Sequence, residues 1–159
     1  MKKGIYTKVQ LVFEIISYVI IIISLIVAII GVCTLPKEIA VNFEANGEVS
    51  GYGSSTGLLL MPIIMLFTNG LISVMMHFLP ISMWNMPFKV NPQKAVLVYR
   101  SMVSMLIGLE FLDAVFSLVF TGMMYFSFAK FMLVFTFLYV ILIFADIILF
   151  CVISYKRNK

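Results

Sequence analysis

Glu14, Glu110, Asp113 and Asp146 are carboxylates set inside long apolar runs, and that setting is where chemistry is expected first. A charge at the centre of a hydrocarbon layer costs at least about 2.5 kcal/mol on insertion scales, so such groups face a bundle interior or a watery cavity. Helical rise places Asn69 about 15 Å, Glu110 about 14 Å and Asp146 about 12 Å from the inner end of their runs. Asn69, Glu110, Asp113 and Asp146 are therefore read as one intramembrane polar cluster. Arg100 and His77 fall nearer the inner boundary, so the cluster has no cation at its own depth. The expectation is that Glu110 or Asp146 is protonated at neutral pH or shares a bound cation. Glu14 lies only about 7 Å from the inner boundary. It is read as a structural carboxylate within reach of water or Lys8, and His77 as an interfacial histidine rather than a ligand.

The elements that must position these groups follow from composition. The chain has 159 residues, 63% hydrophobic and 11% charged, against roughly 25% charged in soluble domains. Too few charges exist to cover the apolar surface, so a bilayer is the solvent. Apolar runs cover residues 9–32, 57–79, 101–124 and 131–154, each longer than 20 residues. At about 1.5 Å per residue, each run crosses the roughly 30 Å of hydrocarbon. The predicted fold is an all-α integral membrane protein, a single membrane domain over residues 1–159 with four transmembrane helices. Its outer loop is 33–56 and its inner loop 80–100. Glu14, Ser17, Ser24, Ala28 and Gly31 form a polar and small stripe on the first helix. Asn69, Ser73 and His77 do so on the second, Glu110, Asp113, Ser117 and Thr121 on the third, and Tyr139 with Asp146 on the fourth. Such stripes are the usual contact faces of membrane helices.

Charge sets the direction. Lys2, Lys3, Lys8, Lys89, Lys94, Arg100, Lys156, Arg157 and Lys159 flank one side, against Lys37 and Lys130 on the other. The positive-inside rule then puts both termini in the cytoplasm. Tyr6, Trp84, Tyr125 and Tyr155 fall at the predicted interfaces. The +4 net charge is scattered at helix ends rather than gathered in a stripe, which excludes nucleic acid as a partner. The first apolar run is longer than the roughly 7 to 15 residues of a signal peptide and is read as retained. Cys33 and Cys151 lie towards opposite membrane faces, too far apart for a disulfide.

The outer loop, LPKEIAVNFEANGEVSGYGSS, is not a slack linker. Ile39, Val41 and Phe43 alternate with Ala40 and Asn42 as in a strand with one apolar face. Asn46-Gly47 supplies a tight turn, and Gly51 and Gly53 are read as giving sharp re-entry into the second span. The element expected is a short hairpin-like cap on the extracytoplasmic surface. Leu35, Pro36, Ile39, Phe43, Gly47, Glu48, Gly51, Tyr52 and Gly53 carry a resemblance to a bacterial membrane domain of unknown function with the signature LPxxIPxHFNxxGExDGYG. Asn91, Tyr99 and Arg100 in the inner loop resemble its second motif. Asn42 stands where that family has histidine and Ser50 where it has aspartate, so a metal or proton bound there in relatives is not expected here. The domain is also found in the immunity protein of the sporulation-delaying toxin system. What the resemblance implies is a multi-pass protein of the bacterial plasma membrane that senses or neutralises a secreted peptide or toxin at its outer face.

Function classes narrow accordingly. A single histidine, no paired-histidine metal motif, no phosphate-cradling loop and no nucleophile elbow argue against an enzyme and name no cofactor or metal. An immunity or sensor-type binding protein leads. A small proton- or cation-coupled transporter using the acidic cluster is the alternative. Met83, Trp84, Met86 and Phe88 with Lys89 and Lys94 read as a headgroup-layer anchor for anionic lipid, or as a docking surface for a cytoplasmic regulator.

Overall fold

The structure is a computed structural model that describes residues 4–44, 47–128 and 131–159, with Ser82 in its main chain only. Asn46 of the expected turn, and Lys2, Lys3 and Lys130 of the charge pattern, lie outside the described residues.

Four helices, α1 (Lys8–Thr34), α2 (Leu60–His77), α3 (Ala95–Tyr125) and α4 (Met132–Asn158), are each long and apolar enough to cross a membrane. That is the make-up of a multi-pass membrane protein. Between α1 and α2 lies a two-stranded antiparallel sheet of β1 (Glu38–Phe43) and β2 (Val49–Ser54), so the fold is not wholly α. A 3-10 turn over Ser55–Leu59 leads into α2 and leaves Gly57, Leu58 and Leu59 outside the α-helix proper.

Local chemistry sets the boundaries. Thr7 opens α1 with a capping box: its hydroxyl accepts from the Gln10 amide at 3.2 Å, and the Gln10 side chain accepts from the Thr7 amide at 2.8 Å. Leu35 is extended before Pro36, which cannot continue the helix. α3 is 31 residues long, about 46 Å at the helical rise, so it overshoots the hydrocarbon layer and begins at Ala95, six residues before its apolar run. It ends in a backbone turn closed by Ser127 at φ 57°, a left-handed conformation unusual for a residue with a side chain.

α3 is the central helix, packed against α1, α2 and α4. The interior is built from small and polar groups. Ser17, Ser24, Asn69, Ser101, Glu110 and Ser117 are all 0% exposed, whereas Phe67 is 68% and Phe137 63% exposed. This reverses the soluble pattern and fits helices that bury their polar stripe together and turn their apolar faces to lipid. The buried positions of α1 are Gln10, Glu14, Ser17, Ile21, Ser24, Ala28 and Gly31. Midway along, Ser24 meets Ser117 at 2.8 Å and Thr121 at 3.2 Å, linking α1 to α3.

The two ends differ. At the terminal end, Arg100 Nη2 donates to the Gly4 carbonyl, Arg157 Nη1 to Ser101 Oγ at 2.7 Å, and Asn158 Nδ2 to the Lys89 carbonyl at 3.0 Å. Both chain termini and the α2–α3 connection thus share one end. The hairpin and the α3–α4 turn share the other. Cys33 and Cys151 are unbonded.

Candidate functional site

Two regions gather the chemistry-bearing residues. The first is inside the bundle. Glu14 on α1, Ser73 on α2 and Glu110 on α3 meet at one hydroxyl: Ser73 Oγ lies 2.9 Å from Glu14 Oε1 and 2.8 Å from Glu110 Oε1. Tyr18 OH lies 2.9 Å from the same Oγ. His77 Nε2 is 2.9 Å from Glu14 Oε1, and Tyr6 OH donates to Glu14 Oε2. Asn69 Nδ2 donates to the main-chain carbonyl of Glu110 at 3.0 Å. The four-residue spacing of Asn69, Ser73 and His77 delivers all three to this network on one face of α2. Burial deepens along it: the His77 side chain is 26% exposed and that of Glu14 8%, and Glu110 is 0% exposed.

The four residues grouped by depth do not form one cluster. Asn69 and Glu110 meet. Asp113 instead accepts from Tyr139 on α4 at 2.6 Å, and that ring stacks on Phe116 with centroids 4.0 Å apart. Asp146 lies against Gly108, where an added Cβ would collide with its carboxylate, and its Oδ2 is buried without a partner. Counting residues from a boundary gives height along the bundle but not the direction round each helix, and it is direction that separates Asp146, against Gly108, from Glu110. Glu14, read as a structural carboxylate, and His77, read as interfacial, occupy the outer part of the network. Tyr6, read as an interfacial aromatic, reaches Glu14 through its hydroxyl. The signal that could have found them is the pairing of the Glu14 stripe with the 69–73–77 stripe. Among the described residues, no three of His, Cys, Asp and Glu converge as metal ligands would.

The second region is the hairpin. β1 and β2 pair Glu38 with Ser54, Ile39 with Gly53, Ala40 with Tyr52, Asn42 with Gly51 and Phe43 with Val49. The register slips between Ala40 and Asn42, so Val41 is an extra residue and the simple alternation expected for β1 is broken. Gly51 and Gly53 are not re-entry points but strand residues. A Cβ at Gly51 would stand 2.9 Å from Asn42 Nδ2, and one at Gly53 2.9 Å from Val41 Cγ2. Each glycine is a flat seat under a side chain of β1. Gly47 takes φ 86°, which glycine adopts freely, and its amide donates to the Glu44 carbonyl at 2.9 Å while the Glu44 amide donates to Glu48 at 2.8 Å.

Between the hairpin and the end of α3 opens a cavity of about 420 Å³. Leu35, Pro36, Ile39, Phe43, Gly47 and Tyr52 line it together with Met124, Tyr125 and Ser127. Tyr52 is 71% exposed. Asn42 and Gly51 lie on the ladder instead, while Glu48 and Gly53 hold the turn and strand. Below this, Gly31 marks a close crossing: a Cβ there would stand 2.7 Å from Leu58 and 3.1 Å from Tyr125.

Residues 19–66 match the family model of a domain of unknown function (DUF1648). The match runs from within α1, through the whole hairpin, into the first turns of α2, and covers under a third of the chain. It takes in every outer-loop motif residue but neither Glu14 nor Glu110. No curated protein and no solved structure matches the chain.

The inner-loop residues do separate jobs at the terminal end. Asn91 caps a 3-10 turn by accepting from the Gln93 amide at 3.0 Å, and its own amide donates to Asn158 at 2.7 Å. Tyr99 packs edge-on to Trp84, with centroids 6.1 Å apart. The Arg100 carbonyl accepts from Gln10 Nε2 at 3.1 Å. The structure brings none of the three to the hairpin or to Glu110.

Proposed function

We propose that this chain is a bacterial membrane protein of the immunity or sensor type, which binds an extracytoplasmic peptide in the cleft between its hairpin and the end of α3. The observation that carries the reading is the convergence of six outer-loop motif residues on that cleft. Its lining joins aliphatic and aromatic side chains to the polar Glu38 and Ser127, a mixture suited to an amphipathic segment. The two-stranded sheet also presents open strand edges, onto which an extended peptide adds by main-chain hydrogen bonds. In this reading the terminal end, with its nine basic residues, faces the cytoplasm and the hairpin end faces outward. The protein acts by binding rather than by catalysis. Whether a cytoplasmic regulator docks at the α2–α3 connection is then a question of relay from cleft to terminal end.

The test is survival of a sensitive bacterium expressing the chain and challenged with candidate secreted peptides, beside Phe43→Ala and Tyr52→Ala variants at equal membrane levels. Protection lost in both variants supports the cleft. Protection that survives both places binding elsewhere. A small proton- or cation-coupled transporter is the second reading, and the observation in its favour is the wholly buried Glu110 at the deep end of a polar chain.

A further inference from the structure

We propose that Glu14 and Glu110 share one exchangeable proton through Ser73, forming a proton-binding site inside the bundle that loads from the terminal end. A serine hydroxyl has one hydrogen to donate and two lone pairs to receive. Ser73 Oγ has three polar neighbours at hydrogen-bond distance: Glu14 Oε1 at 2.9 Å, Glu110 Oε1 at 2.8 Å and Tyr18 OH at 2.9 Å. Two ionised carboxylates both need a donor, and Ser73 serves only one of them. The contact to the other is a hydrogen bond only when that carboxyl carries a proton. With Tyr18 donating, one acid proton completes the set.

A second observation shows the same shortage. Asn69, 0% exposed, reaches Glu110 through its Nδ2 and leaves Oδ1 without a partner, and Glu110 Oε2 is likewise buried and unpartnered. Both atoms are acceptors, so this part of the interior is deficient in hydrogen rather than in acceptors, which is the environment that retains a proton.

The surroundings assign the two ends of the shared bond. Glu14 receives from Tyr6 and lies 2.9 Å from His77 Nε2, so it is the better-solvated seat for the negative charge. Among the described residues Glu110 has no cation in contact, so it is the seat for the proton. The neighbouring titratable groups are Asp113, one turn along α3 and bonded to Tyr139 of α4, and Asp146 of α4, against Gly108 on the other side of α3. On α3 itself the basic side chain is Arg100, whose Nη2 is committed to the Gly4 carbonyl. Exchange between the seats conserves charge: the proton on Glu110 passes to Ser73 Oγ as the hydrogen of Ser73 passes to Glu14. His77, 26% exposed and the last residue of α2, carries the path towards the terminal end, which sets that end as the entrance. The site stands independently of the peptide reading.

The test is infrared difference spectroscopy of the full chain in lipid nanodiscs, titrated with proton alone. The expected result is a protonated-carboxyl band at neutral pH that vanishes in Glu110→Gln and shifts or vanishes in Glu14→Gln and in Ser73→Ala. Asp113→Asn and Asp146→Asn leave it in place. Gln fills the volume of a protonated Glu and keeps a donor, so the fold survives the exchange, with helical circular dichroism as the control. A spectrum with only ionised carboxylates at neutral pH overturns the proposal. So does a band unchanged by both Glu14→Gln and Ser73→Ala, because it then belongs to an isolated acid.

Discussion

The hairpin end and the bundle interior handle polar atoms in opposite ways. At the hairpin, main-chain groups are paired across two short strands and side chains such as Tyr52 and Val49 stand exposed. In the interior, polar side chains from α1, α2 and α3 are buried and consume one another's hydrogen bonds around Ser73. A two-stranded sheet is marginal by itself and deforms easily, which suits a surface that closes on a flexible ligand. A buried polar network is costly to break and holds its members in one arrangement. Recognition is therefore expected where the structure is soft, and proton storage where it is rigid.

Four substitutions sharpen that contrast. Gly31→Leu attacks the point joining the regions, since even a Cβ there meets Leu58 at 2.7 Å. Overpacking of this kind costs about 1–3 kcal/mol for small insertions, and an isobutyl group against a packed crossing is expected to abolish the folded state, seen as loss of a thermal transition in detergent. Ser73→Ala comes next. It removes the hydroxyl that joins three helices and leaves buried acceptors unpaired, at about 1–3 kcal/mol, with a matching fall in Tm. Gly53→Val is smaller and confined: it unseats Val41 and distorts the hairpin while the bundle transition moves by less than about 1 kcal/mol. A large fall in bundle stability from Gly53→Val would show that the two regions are not separable. Ser127→Gly should raise stability by up to about 1 kcal/mol, because the left-handed turn that ends α3 no longer carries a side chain, and a lower Tm would contradict that reading of the turn.

The regions also differ in how far they could be read from residues alone. The hairpin is written locally: apolar alternation, Gly47 and the following glycines lie within about 20 residues, and a strand pair with a turn follows from them. The bulge at Val41 was hidden, because a register slip depends on which side chain settles over which glycine. The four apolar helices were equally plain, since length and hydropathy need no partner. The interior network was only half visible. Periodicity marked the right stripes on α1, α2 and α3, yet height without direction merged Asp146 with Glu110 and set Glu14 apart. Which stripes face each other is decided by packing around α3, through crossings such as Gly31 against Leu58 and Gly108 against Asp146, and a single glycine carries little signal of that role.

The most direct measurement of the central claim is peptide protection in cells expressing Tyr52→Ala and Phe43→Ala beside Glu110→Gln. Both cleft variants should lose protection against a secreted peptide that the unaltered chain resists, while Glu110→Gln, at equal membrane level, keeps the peptide bound to the cells. Full protection by both cleft variants would contradict it and leave the interior as the functional centre of the molecule.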